Sequence, residues 1–278
     1  MDKHILLISC VDQLGLISKI SSVVSDLGLN IIIMREFVEE ETNIFFMRME
    51  LSGSLDSESL LANLRSKVPQ NAFIEINPKQ KKDIVLYATK EYHCLNDLLG
   101  KHYFGELPAT VKAVIANYED LKDYTEKFNV PFHYITHEDK SKEQFEKELI
   151  DQTKVYNPDL IVLAKFMRIL SPEFVSGFSN KIINIHHSFL PAFIGSNPYK
   201  KAFERGVKLI GATAHIVNND LDEGPIITQR VIPVDHTFST KNMAQAGREV
   251  ERNVLFEALK LVLEDRVFVS GNKTIIFS

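Results

Sequence analysis

Four runs in the second part of the chain, DIVLYAT (83–89), TVKAVIAN (110–117), DLIVLAK (159–165) and KIINIHH (181–187), are apolar at nearly every position. A strand can be that apolar only if both of its faces are covered, as in a parallel sheet with helices on either side. The polar-patterned stretches between them, EDLKDYTEKF and SKEQFEKELIDQTKVY, supply such helices. The pattern predicts a doubly wound, Rossmann-like α/β layer with right-handed crossovers. Sheets of this kind collect ligands at the carboxyl ends of their strands, near the switch in strand order. KIINIHH ends on polar residues at such a place.

Residues 1–77 follow a different rhythm. HILLISC reads as a strand, and DQLGLISKISSVVSDLG places Leu16, Ile20, Val23, Val24 and Leu27 at helical spacing, with Gly28 as its C-terminal cap. NIIIMREFV follows. In NIFFMRMEL, Phe45, Met47, Met49 and Leu51 alternate with Phe46, Arg48 and Glu50, so one face of this strand should be the more buried. SLDSESLLANLRSKV is a second amphipathic helix capped by Ser54 or Asp56, and AFIEIN closes a β-α-β-β-α-β order. That order predicts a ferredoxin-like domain with both helices on one sheet face. PKQKK (78–82) reads as a linker, which divides the chain into 1–80 and 83–278.

Composition removes several function classes. A net charge of −5 gives no footprint for nucleic acid. No apolar run approaches the roughly 20 residues of a membrane span. MDKHILLISC is too charged and too short in its apolar part for a signal peptide, so a cytoplasmic protein is expected. Cys10 and Cys94 are too few for a disulfide framework or a zinc site.

The polar residues at the strand ends are the candidates for chemistry. Asn184 and His186 are two apart on one strand and should share a face, with His187 turned to the other face or into the SFLPAF turn. KLIGATAHIV brings in His215, and the turn-rich NNDLDEGP carries Asp220, Asp222, Glu223 and Gly224. If the two strands are neighbours, Asn184, His186 and Asp222 can meet at one sheet edge. Three readings fit: satisfied polar strand ends, a metal site needing three ligands, and an acid–base set of amide, imidazole and carboxylate. The metal reading lacks any HxxxH or paired-Cys spacing.

FMRILSPEFV, INIHHSFLPAF, GVKLIGATAHIV and LDEGPII, in that order, resemble the formyl-transferase fold family, whose members use 10-formyltetrahydrofolate. In that family an aspartate follows the Asn-x-His asparagine by 38 positions, which here leads from Asn184 to Asp222. The glycine-rich phosphate loop of its glycinamide-ribonucleotide transformylases is missing, since no glycine occurs from Asp83 to Leu99. The N-terminal unit resembles an ACT domain, a regulatory module. Together with HCLNDLL and GREVERNVL, nearly the whole chain resembles the formyltetrahydrofolate deformylases. One departure is Ile194, where lysine is frequent.

The resemblance implies hydrolysis of 10-formyltetrahydrofolate to formate and tetrahydrofolate, supplying formate for purine synthesis and balancing the one-carbon pool, with no permanently bound cofactor and no metal. It implies catalytic roles for Asn184, His186 and Asp222, with His215 supporting Asp222. Met167, Arg168 and Leu170, with Asp220, Leu221, Glu223 and Gly224, would form the folate pocket; an ion pair to Glu173 is the alternative account of Arg168. Methionine or glycine would bind near Asp12, Gly15 and Asn30, in a homodimer or homotetramer. Alternatively, Asp12 caps the first helix and Gly15 eases close packing. A formyltransferase acting on an unphosphorylated small amine, and a non-catalytic amino-acid sensor, are the competing functions.

Overall fold

In the computed structural model, which describes residues 3–78, 81–192 and 198–277, the N-terminal pattern folds as the alternation requires. Its elements are β1 (Lys3–Val11), α1 (Leu16–Asp26), β2 (Asn30–Glu39), β3 (Ile44–Ser52), α2 (Ser57–Arg65) and β4 (Phe73–Ile76). The strands form an antiparallel sheet in the order β2-β3-β1-β4, the arrangement expected for a ferredoxin-like unit. Leu16, Ile20, Val23 and Val24 of α1 and Leu60 and Leu64 of α2 pack with Phe45, Met47, Met49 and Leu51 in one core. Asp56, rather than Ser54, caps α2, accepting from the backbone N–H groups of Glu58 and Ser59.

Gly15 is the N-cap of α1 at φ +81°, and no side chain caps that helix, so Asp12 does not. An added Cβ on Gly15 would meet nothing within 4 Å; its left-handed backbone, and not close packing, calls for glycine. The Asp12 backbone N–H bonds the Asn43 carbonyl at 2.8 Å, and Asn30 starts β2.

The second unit contains β5 (Lys82–Ala88), α3 (His93–Tyr103), β6 (Ala109–Ala116), α4 (Lys122–Glu126), β7 (Phe132–Tyr134), α5 (Lys142–Tyr156), β8 (Leu160–Leu163), α6 (Pro172–Gly177), β9 (Ile182–His186), α7 (Pro198–Arg205), β10 (Leu209–Ile216), β11 (Ile226–Pro233) and α8 (Thr240–Leu263). A short pair, β12 (Val267–Ser270) and β13 (Lys273–Ile276), completes the chain's elements. The large sheet runs β11-β10-β9-β8-β5-β6-β7. Its strands β5 to β9 are parallel, as the apolar runs predict. By contrast, β10 and β11 are antiparallel additions, joined through the turn-rich loop 217–225. The strand order reverses between β5 and β8, and β8 and β9 therefore deliver their carboxyl ends beside the switch. The helix read over 119–128 is regular only in α4.

Against the expected division into 1–80 and 83–278, residues from the far end group with the N-terminal unit. The compact units are Met1–Gln80 with Asp265–Phe268 and Ile275–Ser278, and Lys81–Glu264 with Val269–Thr274. The returning residues explain a second difference. Phe46 was expected on the less buried face of β3, yet it is 3% exposed. It packs with Leu7, Phe268 and Phe277, its ring edge-on to Phe268 at 5.6 Å between centroids. Arg48 on the same face is buried as well, donating from Nε to the Asp265 carbonyl at 3.1 Å.

Candidate active site

Asn184 and His186 project from β9 on one face, and β10 lies alongside with His215 paired opposite Asn184. Both strands are interior to the sheet, and the residues meet at the carboxyl end of β9. Asp222 comes back to His186 from the loop after β10, its Oδ1 3.1 Å from His186 Nδ1. Two backbone features hold that loop. Asp222 itself sits at φ +59°, a conformation non-glycine residues adopt at a cost and often at functional sites. Two residues on, Gly224 presses so closely on β10 that a Cβ would lie 1.8 Å from the Ile216 carbonyl oxygen and 3.2 Å from His215 Nδ1.

The hydrogen bonds define the protonation states. His215 Nδ1 is 3.0 Å from the Ile216 carbonyl, which can only accept, so the proton is on Nδ1. Its Nε2 then accepts from the Asn184 amide at 3.1 Å. His215 thus hydrogen-bonds Asn184, while Asp222 Oδ1 lies 3.8 Å from Nε2. Burial lowers the His215 pKa, consistent with a neutral ring. Burial works to raise Asp222, but the hydrogen bond and charge of His186 lead the effects that outweigh it and hold the carboxyl below its usual 3.8. His186 Nε2 is buried and has no hydrogen-bond partner among the described residues, which leaves it available to a substrate.

These groups line a cavity of about 280 Å³. Of the expected folate residues, Met167, Arg168, Leu170, Asp220 and Leu221 line it; Glu223 and Gly224 do not. Glu223 is exposed, and Gly224 acts from beneath, through its contact with Ile216. Arg168 is exposed, and among the described residues it forms no ion pair with Glu173. Ile194 lies outside the described residues.

Sequence reasoning missed two titratable lining residues, Lys165 and His187. Lys165 ends DLIVLAK, and a charge closing an apolar run is the signal that could have marked it. His187 was expected to face away from His186. It lies one residue past the end of β9, where alternation no longer applies, and its ring stacks on His186 with centroids 5.1 Å apart.

Behind the cavity, Glu251 of α8 is 1% exposed and binds on both oxygens. His93 Nε2 is 2.8 Å from Oε2, Lys165 Nζ 3.2 Å from Oε2, and the Tyr199 hydroxyl donates to Oε1 at 2.5 Å. Burial disfavours its charge, yet these partners draw Glu251 down to about 2. Burial likewise opposes the charge on His93, but Cys94, Glu251 and Glu91 lift it to about 11. Donor atoms of His93, Cys94 and Glu251 lie within 4.8 Å of one another, close enough to hold a cation. With the Lys165 ammonium already on the carboxylate, however, this is an ion-pair network. No helix among the described residues is long and apolar enough to cross a membrane.

Comparison with known proteins is consistent across the chain. The formyl transferase family matches residues 82–259 and the ACT domain residues 4–68. Formyltetrahydrofolate deformylase of Haemophilus influenzae is 50% identical over 276 residues, covering 99% of each chain; that of Bacillus subtilis is 44% identical, covering 100% of this chain and 94% of its own. Among solved structures, the crystal structure of a Pseudomonas syringae formyltetrahydrofolate deformylase superposes with a TM-score of 0.94 at 37% identity, covering 99% of this chain and 94% of that one. A glycinamide ribonucleotide transformylase from Symbiobacterium toebii reaches 0.69 at 28% identity, covering 72% of this chain and 96% of its own.

Proposed function

The chain belongs to the formyltetrahydrofolate deformylase family, and from that premise we propose how its cleft divides the work. The reaction is hydrolysis of 10-formyltetrahydrofolate to formate and tetrahydrofolate. The observation that carries the assignment is the pair of 3.1 Å contacts, His186 to Asp222 and Asn184 to His215, within one cavity.

The Asn184 amide has two N–H groups. One is held by His215, which aims the other at the formyl oxygen, where negative charge develops during attack. Protonated His186, fixed through Nδ1 by Asp222, donates from Nε2 to the same oxygen and then to the departing N10. Water loses its proton to Asp222. The depressed pKa of that carboxyl comes partly from the charge on His186, so it becomes a better base as His186 gives its proton away. Exchange with solvent restores both groups. The pterin would sit against Met167, Arg168, Leu170, Asp220 and Leu221. Such a cavity, about 280 Å³, is at the small end of ligand sites, suited to the ring system with the tail outside.

The ACT unit suggests amino-acid control. Methionine and glycine are proposed as opposing effectors near Asp12, Gly15 and Asn30, in a cytoplasmic homodimer or homotetramer paired through the edge strands β2 and β4. The test of function is stoichiometric release of formate and tetrahydrofolate from 10-formyltetrahydrofolate without any acceptor, beside Asp222→Asn. Release by the wild-type chain, lost in the variant, is expected. A folded, folate-binding protein that releases neither product, with methionine present or absent, would overturn the reading and favour an amine acceptor.

A further inference from the structure

We propose that His187 is a fourth catalytic residue of this hydrolysis, seating the attacking water by accepting a hydrogen bond from it at a ring nitrogen. The proposal rests on the roles given above to Asn184, His186 and Asp222. Those roles leave the water poorly held. The Asn184 amide is divided between His215 and the oxyanion, and His186 between Asp222 and the leaving group. Only the Asp222 carboxylate remains for a molecule that needs two or more partners to stay in place.

His187 has the position and the free valence to complete the seat. Its half-buried ring lines the same cavity. One face lies on His186, centroids 5.1 Å apart and planes inclined by 27°, and Tyr199 stands nearby at 6.3 Å. Among the described residues neither ring nitrogen of His187 makes a hydrogen bond, and a polar group so placed is normally satisfied by water or ligand. Burial and the Lys165 ammonium together hold this imidazole down, to about 4. The ring is therefore neutral near pH 7, with one lone pair to offer. Lys165 is tied to Glu251 at 3.2 Å, and Tyr199 to the other carboxylate oxygen. The buried network thus fixes both the charge that keeps His187 neutral and the ring beside it.

In the step itself, water gives one hydrogen bond to His187 and one to Asp222. The water oxygen forms the C–O bond while the carbonyl pair moves onto the formyl oxygen, and the proton facing Asp222 passes to that carboxylate. The oxyanion pair then re-forms the C=O bond as the C–N10 bond breaks; the C–N pair goes to N10, and N10 takes the His186 proton. Formic acid and tetrahydrofolate leave.

The experiment compares His187→Phe, His187→Gln and Asp222→Asn, with and without hydroxylamine as a competing nucleophile that needs no water seat. For His187→Phe, which keeps a flat ring but no acceptor, kcat for formate should fall about 100-fold with KM inside about threefold. Formohydroxamate formation should fall far less, and His187→Gln, with an acceptor oxygen, should regain roughly tenfold. Formate release within about threefold of wild type in His187→Phe overturns the proposal. So does a parallel fall in both products, which would mark a merely structural ring. Asp222→Asn separates the two levels. If it stays active, the catalytic set is wrong; if it is dead while His187→Phe is active, only the His187 assignment fails.

Discussion

Gly224→Ala offers a test in which the sign alone decides. At an unstrained site, replacing glycine by alanine stabilises a protein by about 0.4–1 kcal/mol, because it narrows the unfolded ensemble. Gly224 does not adopt a left-handed conformation, so backbone preference gives no reason for a loss. Sterics do: the new Cβ would lie 1.8 Å from the Ile216 carbonyl oxygen, where real contacts stay above 3.0 Å. The partner is backbone in β10, within a seven-stranded sheet, and cannot swing aside as a side-chain tip would. The loop must retreat by the missing 1.2 Å (3.0 minus 1.8) or more. Overpacking of this kind costs about 1–3 kcal/mol, and Asp222, two residues away, moves with it. A retreat of that size takes the 3.1 Å contact to His186 beyond hydrogen-bond range, and a misplacement of about 1 Å can cost about 100-fold in rate. The assay is formate release at saturating substrate, with thermal unfolding of the same sample. The expected outcome is a fall in kcat of about 100-fold and in Tm of roughly 3–10 °C. A variant as active as wild type, or one with a raised Tm, would refute the close-approach argument.

Other perturbations probe separate parts of the same unit and its neighbour. His215→Phe removes the acceptor that aims Asn184 and should lower kcat by about 10–100-fold, less than direct loss of an oxyanion donor, with KM nearly unchanged. Glu251→Gln leaves the Lys165 ammonium buried without its counter-charge and should cost about 3–5 kcal/mol in denaturant unfolding. Glu251 is depressed from 4.5 to about 2, so its contribution is complete above pH 4.5 and is lost as pH falls toward 2; acid unfolding curves should show Glu251→Gln losing less across that window. Phe46→Ala should cost about 3–5 kcal/mol in the N-terminal unit, and a neutral result would deny that this face of β3 is a second core.

Much of this architecture was legible because period and spacing carry it. Apolar runs near 84, 111, 160 and 182 identify the parallel strands, since nothing else covers both faces of a strand. Two residues on one strand face and a carboxylate in the next loop are local facts, so Asn184, His186 and Asp222 could be named in advance. Other features depend on contacts that no short window contains. Lys165 and Glu251 are 86 positions apart (165 to 251) and share an ion pair, not a pattern. The His215–Asn184 hydrogen bond was not foreseen because it depends on which ring nitrogen bears the proton, and the Ile216 carbonyl decides that. His187 escaped because alternation ends with the strand, one residue too early. Phe46 read as the exposed side of β3 because its cover arrives from the opposite end of the chain.

That last arrangement has a consequence for biosynthesis. The face of the N-terminal sheet carrying Leu7 and Phe46 is completed by Phe268 and Phe277, and β4 ends at Ile76 while the covering segment starts at Asp265. A ribosome adds about 5–20 residues per second, so the interval between them, 189 residues (265 minus 76), takes roughly 10–40 s. Throughout that time the nascent sheet presents an uncovered aromatic surface, and a fragment truncated after residue 80 presents it permanently. Such a fragment should need a holding chaperone or a solubilising partner, although every strand and helix of its fold is present.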